Sequence, residues 1–301
     1  MMDSIDSLSR REPRLLFMLD TGDIVDDGSH SDQFRALTEI LARVRSLPYL
    51  VGVGNHEVDN NRPGPGRANT AAFLKPLDPN LGAGRLYYRR TIGRVRFLFL
   101  DSNDLVYDSG PDETKRRGEQ LAWLVEQLKA TPEKPGYPTV VVMHHPLLQS
   151  SEKHRDQARG LWSLAYQGRR LPDILADGGV DLVLVGHTHT YERFIATRKD
   201  GRGFQVVNLS GRPESRFLWF GSAGRSAKEL PRGGEKAWLQ KRGWRDLDGW
   251  ALSQPEAMTK DETDEFALFR VEPDGGMTIS IRYMNRPGLL PPVRILGGGP
   301  P

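Results

Sequence analysis

Two histidines one residue apart, His187 and His189, directly follow an apolar segment at residues 180–185, in the sequence Gly-His-Thr-His. Imidazole nitrogens at such a spacing are suited to binding a metal ion. Three other apolar segments are likewise followed by side chains that can bind a metal. They place Asp23 after residues 15–19, Asn55 and His56 after residues 49–53, and His144 and His145 after residues 140–143. We therefore expect four strand ends to converge on one site.

A divalent metal ion that activates water at neutral pH binds carboxylate, amide and imidazole ligands and keeps positions open for solvent and substrate. The four segments supply these ligand types, and because the chain has no cysteine, any metal must be bound through nitrogen and oxygen. His145 precedes Pro146, which favours an extended backbone whose successive side chains point to opposite sides. We therefore predict that His144, and not His145, is the ligand.

The elements that must position these side chains follow from the periodicity of the apolar residues. Short β-branched segments alternate with amphipathic ones, which is typical of an α/β domain. The pattern predicts helices over residues 31–45, 117–129 and 161–175, paired strands over 84–88 and 95–100, and a hairpin of 266–271 with 277–283. The sequence therefore favours a sheet covered by helices, with the polar segments in the loops that follow its strands.

Residues 1–285 are predicted to form one domain, because 38% hydrophobic content in 301 residues is enough for a full core. Within it, residues 210–262 are predicted to be an irregular insertion that holds Trp219, Trp238, Trp244 and Trp250. Two interpretations stay open, an insertion that packs a small cluster of its own and a lid over the substrate. Residues 286–301, rich in proline and glycine, are predicted to be a disordered tail.

The composition limits the possible partners. The 42 Lys and Arg against 39 Asp and Glu give a net charge of only +3, and the basic residues are scattered, which argues against nucleic-acid binding. No apolar segment is long enough to span a bilayer, and residues 1–12 lack the apolar middle of a signal peptide. We expect a soluble chain without membrane contact, and the sequence leaves its compartment and oligomeric state open.

The motifs Gly-Asp-x-x-Asp-x-Gly, Gly-Asn-His-Glu, His-His-Pro and Gly-His-x-His, in this order, resemble the calcineurin-like metallophosphoesterase superfamily. Gly-His-Thr-His-Thr-Tyr-Glu-Arg at residues 186–193, with residues 101–103 and 120–124, is most similar to the purple-acid-phosphatase-like branch. The resemblance extends from Leu15 to about Tyr283. It implies the metallophosphoesterase fold, an α/β (α+β) sandwich of two packed mixed sheets with helices outside.

The resemblance also implies a binuclear centre of divalent or trivalent ions such as iron, zinc or manganese. Asp23 matches the carboxylate that bridges the two ions. Asn55, His144 and His187 match the remaining ligands of one ion, and His189 matches a ligand of the other. Two such ions, roughly 3.5 to 4 Å apart, can hold phosphate oxygens and activate a water molecule.

Residues around the metal ligands receive roles from the same resemblance. His56 matches the residue that stabilises the transferring phosphoryl group and protonates the leaving oxygen, and an imidazole titrates near the working pH. His154 lies where the resembling phosphatases often have a substrate-contacting histidine, and a solvated loop residue is the alternative. Asp26 is expected to support the metal ligands from outside. Glu57 either orients His56 or is an exposed loop carboxylate.

One feature of the family has no counterpart upstream of Leu15, the opening strand that ends in Asp-x-His or Asp-x-Gly. We expect that this first strand is missing from the sequence and that the metal site of His189 is weakened. The predicted function is hydrolysis of a phosphate ester by attack of metal-bound hydroxide on phosphorus, with His56 assisting the leaving group. The alternatives are a phosphodiesterase acting on cyclic nucleotides or other diesters, and a non-catalytic scaffold with an incomplete metal centre.

Overall fold

The computed structural model describes residues 16–42, 47–107, 110–130, 137–149, 154–189, 192–209, 247 and 249–252, and four further strands. The helices are α1 (Ser31–Leu41), a 3-10 helix (His56–Asn61), α2 (Gly66–Leu74), α3 (Ser102–Val106), α4 (Pro111–Lys129), α5 (Arg155–Ser163) and α6 (Leu171–Asp177). None of the described helices is long and apolar enough to cross a lipid bilayer.

The strands begin with β1 (Met18–Asp20), β2 (Tyr49–Val51), β3 (Tyr88–Ile92), β4 (Val95–Phe99), β5 (Thr139–Val142), β6 (Ala165–Tyr166), β7 (Arg169–Arg170) and β8 (Leu182–Val185). They continue with β9 (Glu192–Arg198), β10 (Gly203–Asn208), β11 (Trp250–Leu252), β12 (Glu256–Ala257), β13 (Glu265–Val271), β14 (Met277–Tyr283) and β15 (Val293–Ile295).

Eight strands form one large mixed sheet in the order β11-β9-β10-β8-β5-β4-β3, with β12 also paired to β9. The central strands β10, β8, β5 and β4 run parallel to one another, whereas β9, β11, β12 and β3 pair antiparallel to their neighbours. Helices lie outside this sheet, so the predicted α/β class with a mixed sheet is confirmed.

Both faces of the large sheet are buried, because alternate side chains along each central strand point to opposite sides. On one face Leu98 packs in a core with Leu121 of α4 and Trp162 of α5. On the other face Phe97 packs in a second core with Leu50 of β2 and Met277 of β14. The sheet is therefore the middle layer between α4 and α5 on one side and α2 with the smaller sheets on the other.

The layer opposite α4 and α5 contains two small sheets. β1 pairs with β2 in a parallel sheet, and β14 pairs with β13 and β15 in an antiparallel one. The expected hairpin of residues 266–271 and 277–283 is thus confirmed. In the part of the chain that the structure describes, the second layer of the predicted sandwich consists of these two sheets, and only one large sheet is present.

The predicted helix over residues 161–175 was wrong. α5 ends at Ser163 and α6 begins at Leu171, and the two-stranded hairpin of β6 and β7 separates them. Gln167 (φ 50) and Gly168 (φ 75) adopt left-handed backbone at its turn, which ends a helix, and Pro172 in the first turn of α6 favours a new start. The apolar periodicity continues across the break because both helices bury their apolar residues in the same core.

Other boundaries also differ from those predicted. The strand expected over residues 84–88 begins only at Tyr88. Residues 82–85 form a turn of their own, and the turn to β4 lies at Gly93 (φ 58). The helix expected from residue 117 already begins at Pro111, with the proline in its first turn. Such ends are set by turn geometry, which apolar periodicity does not report.

Two predictions for the last third of the chain need correction where the structure describes it. Trp250 is buried in the main core, with its ring 5.4 Å from that of Trp162, and is not part of a separate cluster. Trp219, Trp238 and Trp244 lie outside the described residues. In the expected tail, Val293–Ile295 pairs with β14, because its alternating β-branched residues suit a strand.

Candidate metal centre

The predicted ligand segments follow the carboxyl ends of β1, β2, β5 and β8. β1 runs parallel to β2 and β5 runs parallel to β8, so within each pair the two segments start at the same edge. Close backbone approach joins the loops across the two layers. A Cβ added to Gly22 would lie 2.7 Å from Gly54 Cα, and one added to Gly186 would lie 2.7 Å from Thr21 Oγ1. Glycine therefore permits a convergence that a larger residue would block.

His144 lies at the centre of the converging side chains. Its Nε2 is 3.2 Å from Asp23 Oδ2, 3.0 Å from Asn55 Oδ1 and 3.0 Å from His187 Nδ1. Asp23, His144 and His187 each offer a ligand atom, and these atoms lie within 4.8 Å of one another. The structure thus brings together four of the five side chains for which metal binding was predicted.

The far nitrogens of the two imidazoles decide which atoms face one another. His144 Nδ1 lies 3.0 Å from the carbonyl oxygen of Thr21, and His187 Nε2 lies 3.0 Å from the amide oxygen of Gln157. Since these oxygens only accept, each far nitrogen donates its N–H, and in the neutral ring the near nitrogen carries a lone pair. A carboxylate, an amide oxygen and two imidazole nitrogens thus converge, and they require a positive charge among them. This donor set fits a divalent metal ion.

The protonation of the cluster follows the same electrostatics. Burial disfavours charge on both Asp23 and His144, but their hydrogen bond outweighs it, lowering the pKa of Asp23 and raising that of His144. Burial, together with the nearby His144 and His154, lowers the pKa of His187 to about 2. A metal ion bound here would compete with a proton for His144 Nε2, and its binding would weaken as the pH falls.

Backbone strain is concentrated at the same place. Of the six non-glycine residues with positive φ in the described residues, four are predicted site residues: Asp23 (φ 61), His154 (φ 62), His187 (φ 62) and His189 (φ 51). Such conformations cost of order 1–3 kcal/mol each and persist only where the surroundings impose them. Their clustering at the strand ends indicates that the surroundings hold these side chains in place at a cost in backbone energy.

Glu57 connects two of the ligand loops. Its fully buried carboxylate accepts backbone N–H groups from Asp23 (2.8 Å), Gly54 (2.6 Å) and Val25 (3.1 Å). Burial and the charge of Asp23 raise the pKa of Glu57 to about 7. Neither expected role, orienting His56 or lying exposed, was right, because the side chain turns inward and its oxygens satisfy the buried amides of both loops.

His56 lies beside the cluster. Its backbone N–H donates to Asp23 Oδ1 at 3.2 Å, and its ring Nδ1 lies 2.6 Å from the backbone oxygen of Asp26. The ring is about one-third exposed, so solvent and a substrate can reach it. Asp26 thus contacts His56 through its backbone, while its own carboxylate is 85% exposed.

The structure also distinguishes the two adjacent histidines. The ring of His145 is perpendicular to that of His144 (87°) and bonds to Ser102, with Oγ 2.9 Å from Nδ1. Ser102 Oγ also accepts the backbone N–H groups of His144 and His145, so its hydroxyl donates to His145 Nδ1. His144 contributes a ligand atom to the group formed with Asp23 and His187, whereas His145 does not, although its ring lies 4.6 Å from that of His187.

His154 and His189 take different positions. The ring centroid of His154 is 3.9 Å from that of His187, so this histidine lies against the cluster. His189 is close enough for its charge to affect the pKa of His187, but it is not among the three residues whose ligand atoms group together. The structure therefore places His154 beside the candidate centre and leaves His189 at its margin.

An ionic network lies behind the cluster, on the loop that follows β4. Buried Asp101 accepts from Arg67 Nη2 (2.7 Å) and from Asn103, whose Nδ2 also donates to the backbone oxygen of Gly54 (3.1 Å). Buried Asp104 is paired with Arg67 and with Arg116 (3.0 Å). This network therefore connects α2 to the peptide that precedes the candidate ligand Asn55.

Several residues of the site were missed in the sequence: Arg67, Ser102 and Gln157. Arg67 directly follows a proline- and glycine-rich segment at residues 62–66, in the first turn of α2, and Ser102 resembles an ordinary helix-start residue. Gln157 had a usable signal, because it follows His154 by three residues at the start of a helix, where such residues share a face.

The fold and these side chains define a class, an α/β protein with metal-ligand side chains clustered at the carboxyl ends of its strands. Comparison with known proteins gives the family. Residues 2–191 match the family profile described as calcineurin-like phosphoesterase. The match covers more than half of the chain, so the chain belongs to this family, and the predicted resemblance is confirmed.

Relatives of this chain include purple acid phosphatases. Purple acid phosphatase 21 of Arabidopsis thaliana is 29% identical over 197 residues, which cover 64% of this chain and 41% of that protein. Probable purple acid phosphatase 20 of the same plant is 29% identical over 172 residues, covering 56% and 37%. The chain therefore spans about two fifths of the length of these relatives.

A solved structure supports the fold. Purple acid phosphatase PPD1 from yellow lupin (Lupinus luteus) seeds superposes with a TM-score of 0.61 at 15% identity, covering 97% of this chain and 48% of that chain. At this identity the similarity concerns the fold alone.

Proposed function

We propose that this chain hydrolyses a phosphate ester in a metal-dependent reaction. The observation that carries the proposal is the convergence of Asp23, Asn55, His144 and His187, whose ligand atoms lie about His144 Nε2 at 3.0–3.2 Å. Membership of the calcineurin-like phosphoesterase family supports the same reaction class. When bound, the metal would polarise the phosphate and lower the pKa of a water molecule.

The chain's own residues would hold the metal ions, orient the substrate and protonate the leaving oxygen. Asp23, Asn55, His144 and His187 would hold one ion, and His189 would serve a second, with iron, zinc and manganese all compatible with oxygen and nitrogen ligands. Asp23 Oδ2 lies near His144 while Oδ1 accepts from His56, so its two oxygens face different sides. That arrangement supports the bridging role inferred for Asp23.

His56 would donate a proton to the leaving oxygen. The Asp26 carbonyl fixes its Nδ1–H, which leaves Nε2 as the nitrogen that can exchange a proton with a substrate. His154, against His187, would contact the phosphate oxygens. A general acid of this kind contributes roughly 10²–10⁴-fold to the rate.

Asp23→Asn tests the proposal, with metal content and hydrolysis of a chromogenic phosphate monoester as readouts. Loss of a ligand should cost more than the roughly 10–100-fold that loss of a supporting residue costs. Asp32→Asn, on an exposed carboxylate of α1, is the matched control and should retain activity and metal. Full activity in Asp23→Asn would refute the assignment.

His56→Ala separates catalysis from metal binding. We expect it to keep its metal and lose roughly 10²–10⁴-fold in turnover, because the N–H that reaches Asp23 belongs to the backbone. Metal loss in this variant would contradict the role of His56.

The same preparations address the alternatives. Monoester and diester rates, the latter including a cyclic nucleotide, identify the substrate class. A folded wild-type chain that binds metal and turns over neither ester would favour a scaffold.

Metal stoichiometry tests the second ion, because one tight ion per chain would mean that the His189 site is weak. That the fold is a sandwich of two packed mixed sheets stays a prediction.

A further inference from the structure

We propose that Gln157 is a positioning residue that holds His187 and His154 in one arrangement through a single side-chain amide. The inference rests on the proposed function only in taking His187 as a metal ligand. Gln157 lies in the first turn of α5 and does not belong to the predicted ligand set.

The amide of Gln157 makes three hydrogen bonds. Its Oε1 lies 3.0 Å from His187 Nε2 and 3.0 Å from His154 Nδ1, and its Nε2 donates to the Tyr107 hydroxyl at 3.2 Å. The two imidazole rings are themselves in contact, with centroids 3.9 Å apart. One side chain thus connects a candidate metal ligand, a candidate substrate-contacting residue and the end of α3.

The chemistry of the amide oxygen selects a tautomer. Because Oε1 only accepts, His187 must carry its proton on Nε2 and His154 on Nδ1. His187 Nδ1, the nitrogen 3.0 Å from His144 Nε2, then carries the lone pair that a metal needs. Partners on the far nitrogen of a metal-binding histidine fix its ring and tautomer in this way, and their loss typically costs 10–100-fold in metal affinity.

The position of Gln157 suits this task. α5 is anchored by Leu161 and Trp162, which are fully buried in the core on the helical face of the large sheet. His187 and His154, by contrast, both have left-handed backbone. An amide on a packed helix can therefore hold two rings whose own backbone does not favour their placement.

The test uses Gln157→Leu, which removes the acceptor, and Gln157→Glu, which keeps one. Zinc affinity is measured by chelator competition, and the His187 tautomer is read from nitrogen-15 chemical shifts in the metal-free chain. Gln127→Leu is the matched control, since Gln127 is also a half-buried helical glutamine whose Oε1 accepts a hydrogen bond, from Arg89. Circular dichroism verifies that each variant is folded.

We expect the Nε2–H tautomer of His187 in the wild type. In Gln157→Leu we expect a mixture of the two tautomers and a zinc affinity reduced about 10–100-fold. In Gln157→Glu we expect both the tautomer and the zinc affinity to recover. The control should match the wild type. A wild-type His187 protonated on Nδ1 would overturn the inference, as would unchanged zinc affinity in Gln157→Leu or failure of a folded Gln157→Glu to recover. Ester hydrolysis enters none of these readouts, so a wild type that binds zinc without turnover would refute the proposed function alone.

Discussion

Two clusters of arginine and aspartate lie at opposite edges of the large sheet, and they differ mainly in burial. At the carboxyl edge, Asp101 and Asp104 are 0% and 1% exposed and pair with Arg67 and Arg116. At the other edge, where β9 turns into β10, Arg198 and Arg202 pair with Asp177 and Asp200, whose carboxylates are 30% and 44% exposed.

The comparison shows that the contribution of an arginine–aspartate pair to stability depends on its burial. Solvent compensates an exposed pair when one partner is lost, so such pairs contribute little to stability. Inside the protein, removing one partner leaves a desolvated charge. Through Asn103 and Gly54 the buried cluster also reaches the peptide before Asn55, so it supports the candidate centre as well as the fold.

The largest effect should come from Arg67→Met, which leaves Asp101 and half of the pairing of Asp104 without a positive charge. We expect a loss of about 3–5 kcal/mol in the free energy of unfolding, measured by urea denaturation. Arg198→Met, at the exposed cluster, is the control and should change that free energy far less. Equal losses in the two variants would show that burial does not separate the clusters.

A smaller effect is expected from Glu57→Gln, which probes the buried edge without removing an ion pair. The amide replaces one of the acceptor oxygens that serve Asp23, Gly54 and Val25 with a donor, so at least one buried N–H loses its partner. We expect a loss of about 1–3 kcal/mol in unfolding free energy and weaker zinc binding, since the two ligand loops are no longer joined. A fully stable variant with wild-type zinc affinity would contradict this role.

The smallest effect concerns the pH dependence of the exposed cluster. Hydrogen bonding to Arg198 lowers the pKa of Asp200 to about 2 in the folded chain, below its unfolded value of about 4. A lowered folded pKa stabilises above the unfolded value, and this contribution is lost as the pH falls from about 4 to 2. Arg198→Met should therefore differ from the wild type above pH 4 and approach it near pH 2, measured by urea unfolding at each pH. A constant difference would show that neither Asp200 nor Asp177, the other partner of Arg198, contributes to the pH dependence.

The sequence was informative where a side chain's chemistry is tied to a strand end. Asp23, Asn55, His144 and His187 were identifiable because each follows an apolar segment, and the extended backbone before Pro146 distinguished His144 from His145. The sequence predicted one helix at residues 161–175, where the structure has two helices and a hairpin. The apolar period continues through all three, and periodicity indicates which residues are buried but not where a helix is interrupted.

By itself, then, the sequence determined which residue types can bind a metal and which edge of the sheet presents them. Only the tertiary structure decided what holds them in place: Glu57 accepts the N–H of Asp23, Arg67 pairs with Asp101, and Gln157 accepts from His187. These partners are about 30 residues or more apart in the chain, and a hydrogen bond depends on distance and direction in space, which local sequence patterns do not specify.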